Sequence, residues 1–325
     1  MTRELPVLVY GATGHTGGAV VAALVERGLV PVLAGRDAGR LGALADTWGV
    51  EARAFTVPDV PPLGGIGLVL NCAGPFADTA LPLAGAALAA GAHYLDIAAE
   101  QPSSLALLHS WSTPAQAAGV VVMPGVGFFG GLGDLVLSAL VGPADGRAWD
   151  DVAIDIELSA WHPTDGTLET GERNPGARLR LGDGMLVTTE GDPTPPGRVE
   201  LRLTEPVLVA RHLPVRSLLT TVNASAIETL EAAQGLSPEE RSRAREQQGD
   251  AFRMRVVARR GAESRSATVA GDDFYAITGP LAAEVAGAVL AGRLQPGGRA
   301  PGELPDPAGL LRRLPLSLVD LPGDH

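Results

Sequence analysis

Hydrophobic positions in the first 125 residues come in short runs, separated by Ala- and Leu-rich stretches with helical spacing. The runs Pro6–Tyr10, Pro31–Gly35, Ala52–Val57, Leu68–Cys72, Tyr94–Ile97 and Val120–Met123 predict strands. Between them, Thr16–Arg27, Gly39–Trp48, Thr79–Ala90 and Ser103–Ala118 predict helices. Strand, helix and strand repeated through short loops imply an α/β fold with a parallel, doubly wound sheet.

From about residue 150 the rhythm changes. Asp151–Ala160 alternates apolar and polar residues, with Val152, Ile154, Ile156 and Leu158 on one side, the mark of a strand with one wet face. Similar signals at Val199–Leu203, Val207–Ala210, Ser217–Asn223 and Arg253–Arg259 predict further strands, and Ser237–Gln248 reads as an exposed charged helix. These features predict a second, α+β domain on a mostly antiparallel mixed sheet. Helical patterns return at Pro280–Ala291 and Pro307–Arg313. The expected division is a dinucleotide-binding domain over 1–125 and a substrate or dimerisation domain over 126–275, with 276–325 packing back on the first. Residues 119–142 are nearly uncharged, but Pro124, several glycines and Asp134 interrupt them, which predicts a buried strand and helix rather than a membrane span.

Composition narrows the chemistry. The net charge of −12 argues against nucleic acid as a partner and requires local positive charge wherever a dinucleotide binds. All 25 basic residues are Arg, which removes Schiff-base chemistry, a P-loop Lys and the Tyr–Lys pair of short-chain dehydrogenases. The single cysteine, Cys72, allows no internal disulfide, and Met1-Thr2-Arg3-Glu4 leads straight into a strand without a signal-peptide pattern. A cytoplasmic location is the expectation, with a homodimer through the second domain.

The first strand runs into Gly11-Ala12-Thr13-Gly14-His15-Thr16-Gly17 and then a helix. In a dinucleotide site the first glycine permits the turn, the second admits the pyrophosphate, and the third lets helix and sheet approach. Gly11, Thr13, Gly14, His15, Thr16 and Gly17 are therefore expected at the cofactor. The second strand ends in Gly35-Arg36-Asp37, with Arg36 where an NAD-preferring site carries a carboxylate. Arg36, seconded by Arg40, would pair with a 2′-phosphate, so the expected cofactor is NADP. Asp37 reads as a helix N-cap. Asn71, Ala73, Gly74 and Pro75 follow the fourth strand and are expected beside the cofactor, with Cys72 a buried small residue rather than a nucleophile.

These motifs, followed by Tyr94-Leu95-Asp96, Glu100, Pro124-Gly125-Val126-Gly127-Phe128 and Gly133-Asp134-Leu135, resemble the saccharopine dehydrogenase-like reductases, a group that includes trans-acting enoyl reductases. Fainter similarity appears at Asp165-Gly166-Thr167 and Asp273–Thr278. The resemblance implies an NADP-dependent oxidoreductase with a Rossmann domain and a mixed-sheet second domain, reducing a C=C, C=N or C=O bond of a small metabolite. The chain departs from the pattern at Ala98-Ala99 and after Phe129. Its lack of Lys excludes a Lys acid/base mechanism.

Catalytic candidates are Tyr94, Asp96, His162 and Tyr275, with Glu100 and Trp161 near the same crevice. Each has a structural alternative: Tyr94 in the core, Asp96 capping a helix, His162 in a turn before Pro163, Tyr275 as packing. No His, Cys and Asp spacing suggests a metal site. Two other functions compete, a non-catalytic NADP-sensing regulator and an isomerase or epimerase that retains its nucleotide.

Overall fold

The computed structural model describes residues 5–173, 178–189, 194–201 and 203–321. Strands β1 (Val7–Tyr10), β2 (Pro31–Gly35), β3 (Glu51–Ala54), β4 (Leu68–Asn71), β5 (His93–Asp96) and β6 (Val121–Met123) lie within two or three residues of the expected runs. They form a parallel sheet in the order β6-β5-β4-β1-β2-β3. The order reverses between β1 and β4, the switch point at which doubly wound sheets hold ligands beyond their strand ends.

The expected helix over 103–118 is two, Gln101–Ser110 and Ser112–Ala118. Pro114 explains the break: it has no N–H to donate back to Ser110, and its ring would clash with that carbonyl.

The second sheet is built on β7 (Trp149–Leu158), β8 (Arg178–Gly182), β9 (Met185–Thr189), β10 (Arg198–Glu200), β11 (Val215–Asn223), β12 (Phe252–Arg260) and β13 (Glu263–Gly271). Among the described residues its pairings are antiparallel except β7 with β11. The alternation read from β7 holds: Val152, Ile154, Ile156 and Leu158 are all buried. They face the same core as Met254, Val256 and Ala258 of the neighbouring β12.

One expected strand is a helix. Val207–Ala210 lies within the helix Glu205–Ala210, with Pro206 in its first turn and Val207, Leu208 and Val209 buried. A run of four apolar residues carries no period, and Pro206 favours a helix start.

The tail splits between the two sheets. Helix Thr278–Leu290 packs on helix His15–Glu26 so closely that Gly279 lies against the Ala19 carbonyl, and Arg27 pairs with Glu284 at 3.1 Å. The short strand β14 (Gly297–Gly298) extends the parallel sheet beside β6. The remainder does not return there as expected. Helix Pro307–Arg312 packs on helix Gly133–Val141, and β15 (Ser317–Val319) joins the edge of the second sheet beside β13. The Leu310 and Leu311 side chains, both buried, anchor it in the shared core. Among the described residues no helix is long and apolar enough to cross a membrane.

Candidate functional site

At the switch point the turn after β1 meets the turn after β4. Gly11 adopts a φ of +85°, and a Cβ there would meet the Ala73 Cβ at 2.9 Å. Gly17 is more constrained, because a Cβ would lie 2.1 Å from the Gly11 carbonyl oxygen. Helix His15–Glu26 therefore starts directly over the turn. No side chain caps its Gly14 end, so the first-turn N–H groups remain available to an anion. Arg36 stands exposed just past β2, and Asp37 caps the next helix by accepting from the Arg40 N–H at 3.0 Å. Arg40 reaches back and donates through Nη2 to the Thr13 carbonyl at 3.0 Å, tying the two turns together. An uncapped helix end beneath a cradle that admits no Cβ, with the Arg40 guanidinium held beside it and Arg36 exposed past β2, fits a phosphorylated dinucleotide.

Asn71 is fully buried and acts within the turn. Its Oδ1 accepts from the Ala73 N–H at 3.0 Å, and its Nδ2 donates to Thr79 Oγ1 and the Tyr94 hydroxyl. Gly74 presses on helix Asp165–Arg173, where a Cβ would meet Thr170 Oγ1 at 2.8 Å. Pro75 precedes the first turn of helix Phe76–Ala89. Two N–H groups of that turn, which have no partner within the helix, are taken by Glu100, whose oxygens accept from Phe76 and Ala77 at 2.8 and 3.0 Å. Nothing in the sequence marks this cap, since the partners are more than twenty residues apart.

A cleft of about 790 Å³ opens from this point between the sheets. Thr16, Cys72 and Gly74 line its cofactor side. The opposite wall comes from Phe128, Phe129, Trp161, Phe274 and Tyr275, with Leu201 and Leu230 beyond. A sharp kink turns the chain inward at Phe128–Leu132. Gly130 takes a φ of +99° there, and a Cβ would lie 2.3 Å from Thr204 Cγ2.

The four catalytic candidates separate. Tyr94 and Asp96 are fully buried and do not line the cleft. The Tyr94 hydroxyl donates to Asp96 Oδ2 at 3.0 Å, while Asp96 Oδ1 accepts from the N–H groups of Ala98 and Gly125. Burial raises the Asp96 carboxyl to about 6, against the pull of those three donors. The pair holds the end of β5 to the Gly125 turn: Tyr94 lies in the core, as its alternative had it, whereas Asp96 binds the loop N–H groups of Ala98 and Gly125 rather than capping a helix.

His162 is also buried off the cleft, its Nδ1 2.9 Å from Asp250 Oδ1. The Arg245 Nε lies 3.8 Å from the other Asp250 oxygen, and its guanidinium sits 5.6 Å over the Tyr275 ring.

Tyr275 alone of the four lines the cleft. Its hydroxyl accepts from Trp161 Nε1 at 3.1 Å and lies 3.1 Å from Thr167 Oγ1, itself 2.9 Å from Thr164 Oγ1. Burial pushes the phenol up to about 12, so it carries its proton at neutral pH. His15 stands edge-on to the same ring at 5.7 Å. Partial burial and the Arg245 charge lower the His15 pKa, which favours the neutral ring. Cys72 borders the cleft as a neutral thiol, because burial and then the Asp96 charge push its pKa up. Among the described residues no group of three or more His, Cys, Asp or Glu could hold a metal ion.

Sequence reasoning missed Thr164, Thr167, Leu230 and Gln234 as cleft residues. The first two lie in or beside a helix whose short polar sequence gives no periodic signal. The others belong to the helix Ala224–Ala233 and the residue after it, a segment that follows directly on β11.

Residues 7–123 match the saccharopine dehydrogenase NADP binding domain family. No curated protein matches the chain. Its fold is similar to that of the L-Glu-forming saccharopine dehydrogenase from Saccharomyces cerevisiae, at 14% identity and a TM-score of 0.59, over 97% of this chain and 99% of that one. A probable dehydrogenase from Thermotoga maritima aligns over 94% of this chain and 93% of its own, at 15% identity and a TM-score of 0.49. Residues 7–123 thus resemble the NADP-binding domain of saccharopine dehydrogenases, within an α/β fold that carries a second mixed sheet.

Proposed function

We propose that the protein is an NADPH-dependent reductase that delivers hydride to a C=C, C=N or C=O bond held in the cleft, with Tyr275 as proton donor. The observation that carries this reading is the Tyr275 hydroxyl, protonated and oriented by Trp161 and Thr167, in a cleft that begins at the cofactor turn. In this reading residues 1–125 hold the cofactor and 126–275 shape the substrate side.

NADPH, when bound, supplies the hydride. Gly11, Gly14, Gly17 and the open helix end hold the pyrophosphate, and Arg36 with Arg40 receives the 2′-phosphate. The walls of the cleft exclude water from the acceptor. As negative charge develops on the acceptor, Tyr275 donates a hydrogen bond and then its proton. The Thr167 and Thr164 hydroxyls form a chain leading away from the resulting tyrosinate, through which a proton returns from solvent near the exposed Asp165. Hydride to carbon and proton to the heteroatom, or to the α-carbon of an enone, complete a two-electron reduction.

The test is NADPH oxidation with a panel of enones, ketones and imines. Tyr275→Phe should bind NADPH as the parent does yet turn over about 10²-fold or more slowly. Tight NADPH binding without turnover of any compound would favour a sensor instead. Full activity in Tyr275→Phe would place the proton donor elsewhere.

A further inference from the structure

The chain is poor in aromatic residues, with six Phe, four Trp and three Tyr in 325 residues. Six of those thirteen line one cleft: Phe76, Phe128, Phe129, Trp161, Phe274 and Tyr275. The last five form one continuous cluster. Phe129 stacks at 5.2 Å on Trp161 and at 5.7 Å on Phe274, and Phe274 lies 4.3 Å from Tyr275. Aromatic side chains bury large apolar areas and offer flat faces to a ring. Phe128, Trp161, Phe274 and Tyr275 also belong to the buried core, and the half-buried Phe129 carries the same aromatic surface into the cleft.

The charges of the cleft point the same way. Among its described lining residues the only charged groups are Glu100 and Glu200, and none is basic. Glu100 is occupied as a helix cap. A carboxylate or phosphate on the substrate would be desolvated with no cation among those described residues to receive it, at a large electrostatic cost. The polar groups suited to an acceptor are neutral and lie at one end, at Tyr275 and Thr167.

We infer that the cleft takes an uncharged, ring-bearing carbonyl or conjugated compound, its ring against Phe129, Trp161 and Phe274 and its acceptor atom at Tyr275. The inference rests on the reductase reading of the same cleft. It excludes a charged compound such as the L-Glu named for the yeast structural neighbour.

The test uses the NADP⁺-saturated protein and three matched probes: an aryl-alkyl methyl ketone, the same ketone with a ring carboxylate, and the same ketone with a ring aminomethyl group. Binding is measured by calorimetry. The neutral ketone should bind at least tenfold more tightly than either charged partner. Leu230→Arg, which sets a guanidinium in the half-buried far wall, should narrow the gap to the carboxylate at least tenfold. Equal or tighter binding of either charged probe overturns the inference, as does no detectable binding of the neutral one. A protein that binds the neutral ketone but never oxidises NADPH would sink the reductase reading alone. Turnover confined to carboxylates would sink only the substrate class.

Discussion

Trp161 Nε1 donates to the Tyr275 hydroxyl at 3.1 Å, joining residues 114 positions apart on one wall of the cleft. The bond occupies one acceptor site of the phenol and leaves its proton free for Thr167 or for a substrate. Trp161→Phe keeps an aromatic ring in the wall and removes the donor. A neutral hydrogen bond contributes about 1 kcal/mol, so kcat should fall up to about tenfold while NADPH affinity stays the same. Unchanged kcat would show that the bond does not orient the proton donor.

The Tyr275 phenol, held at about 12 by burial, keeps its proton well beyond neutral pH. If it is the proton donor, the rate should show no loss from its deprotonation up to about pH 10, where an ordinary tyrosine is half ionised. Stopped-flow reduction after brief pH jumps reads this directly. A basic limb at or below 10 that disappears in Tyr275→Phe would contradict the burial of the phenol.

Gly17 and Gly18 are adjacent but differ in what an added methyl meets. At Gly17 it would lie 2.1 Å from backbone, whereas at Gly18 nothing lies within 4 Å. Gly17→Ala must push the helix off the turn, so NADPH binding should be lost and the thermal midpoint should drop. Gly18→Ala should bind NADPH normally and gain up to about 1 kcal/mol from helix propensity. Equal behaviour of the two variants in calorimetry and thermal unfolding would remove Gly17 from the cradle.

Arg36 is exposed at the end of β2, where it is free to meet a 2′-phosphate. Arg36→Ala should weaken NADPH by about tenfold to a hundredfold, the range of a charge-assisted bond, and leave NADH within about twofold. Titration of both cofactors by fluorescence checks it. Equal losses would mean that the residue does not select the phosphate.

The cofactor half was legible because its constraints are local. The glycines, the strand ahead of them and Arg36 follow one another within thirty residues, and Asp37 caps the next helix as its position beyond a strand suggests. The cleft was not legible in the same way. Tyr94-x-Asp96 looked catalytic because it ends a strand at the ligand edge, yet those side chains bond to each other and to the Gly125 turn inside the core. His162 likewise pairs with Asp250, a partner 88 residues away. Tyr275 carried the same sequence signal as these, a polar group near an element boundary. The packing of helix Thr278–Leu290 on the glycine-loop helix brings the Tyr275 ring within 5.7 Å of His15, at the edge of the cleft. Burial and distant partners decide between structure and chemistry here, and neither has a local pattern.

Glu205 yields a prediction about stability rather than activity. Its side chain is fully buried, with Oε1 accepting from the Gly130 N–H at 2.8 Å, at the kink that sets Phe128 and Phe129 in the cleft wall. Burial raises its carboxyl to about 7, with the Asp134 charge adding to the shift. A carboxyl whose folded pKa lies above its unfolded value stabilises the fold most below the unfolded value, and that stability is lost as pH rises through the folded one. The window runs from about 4.5 to 7, and the loss across it is about 3 kcal/mol at most. Asp96, raised to about 6, acts in the same direction over a lower window. Glu205→Gln keeps the bond from Gly130 and carries no charge. It should therefore be more stable than the parent at pH 8 and nearly equal to it at pH 4.5, its slope between them differing from the parent's by the share that Glu205 contributes. Urea unfolding at a series of pH values measures this. A variant with the same slope as the parent from pH 5 to 8 would show that Glu205 is not held neutral in the folded protein.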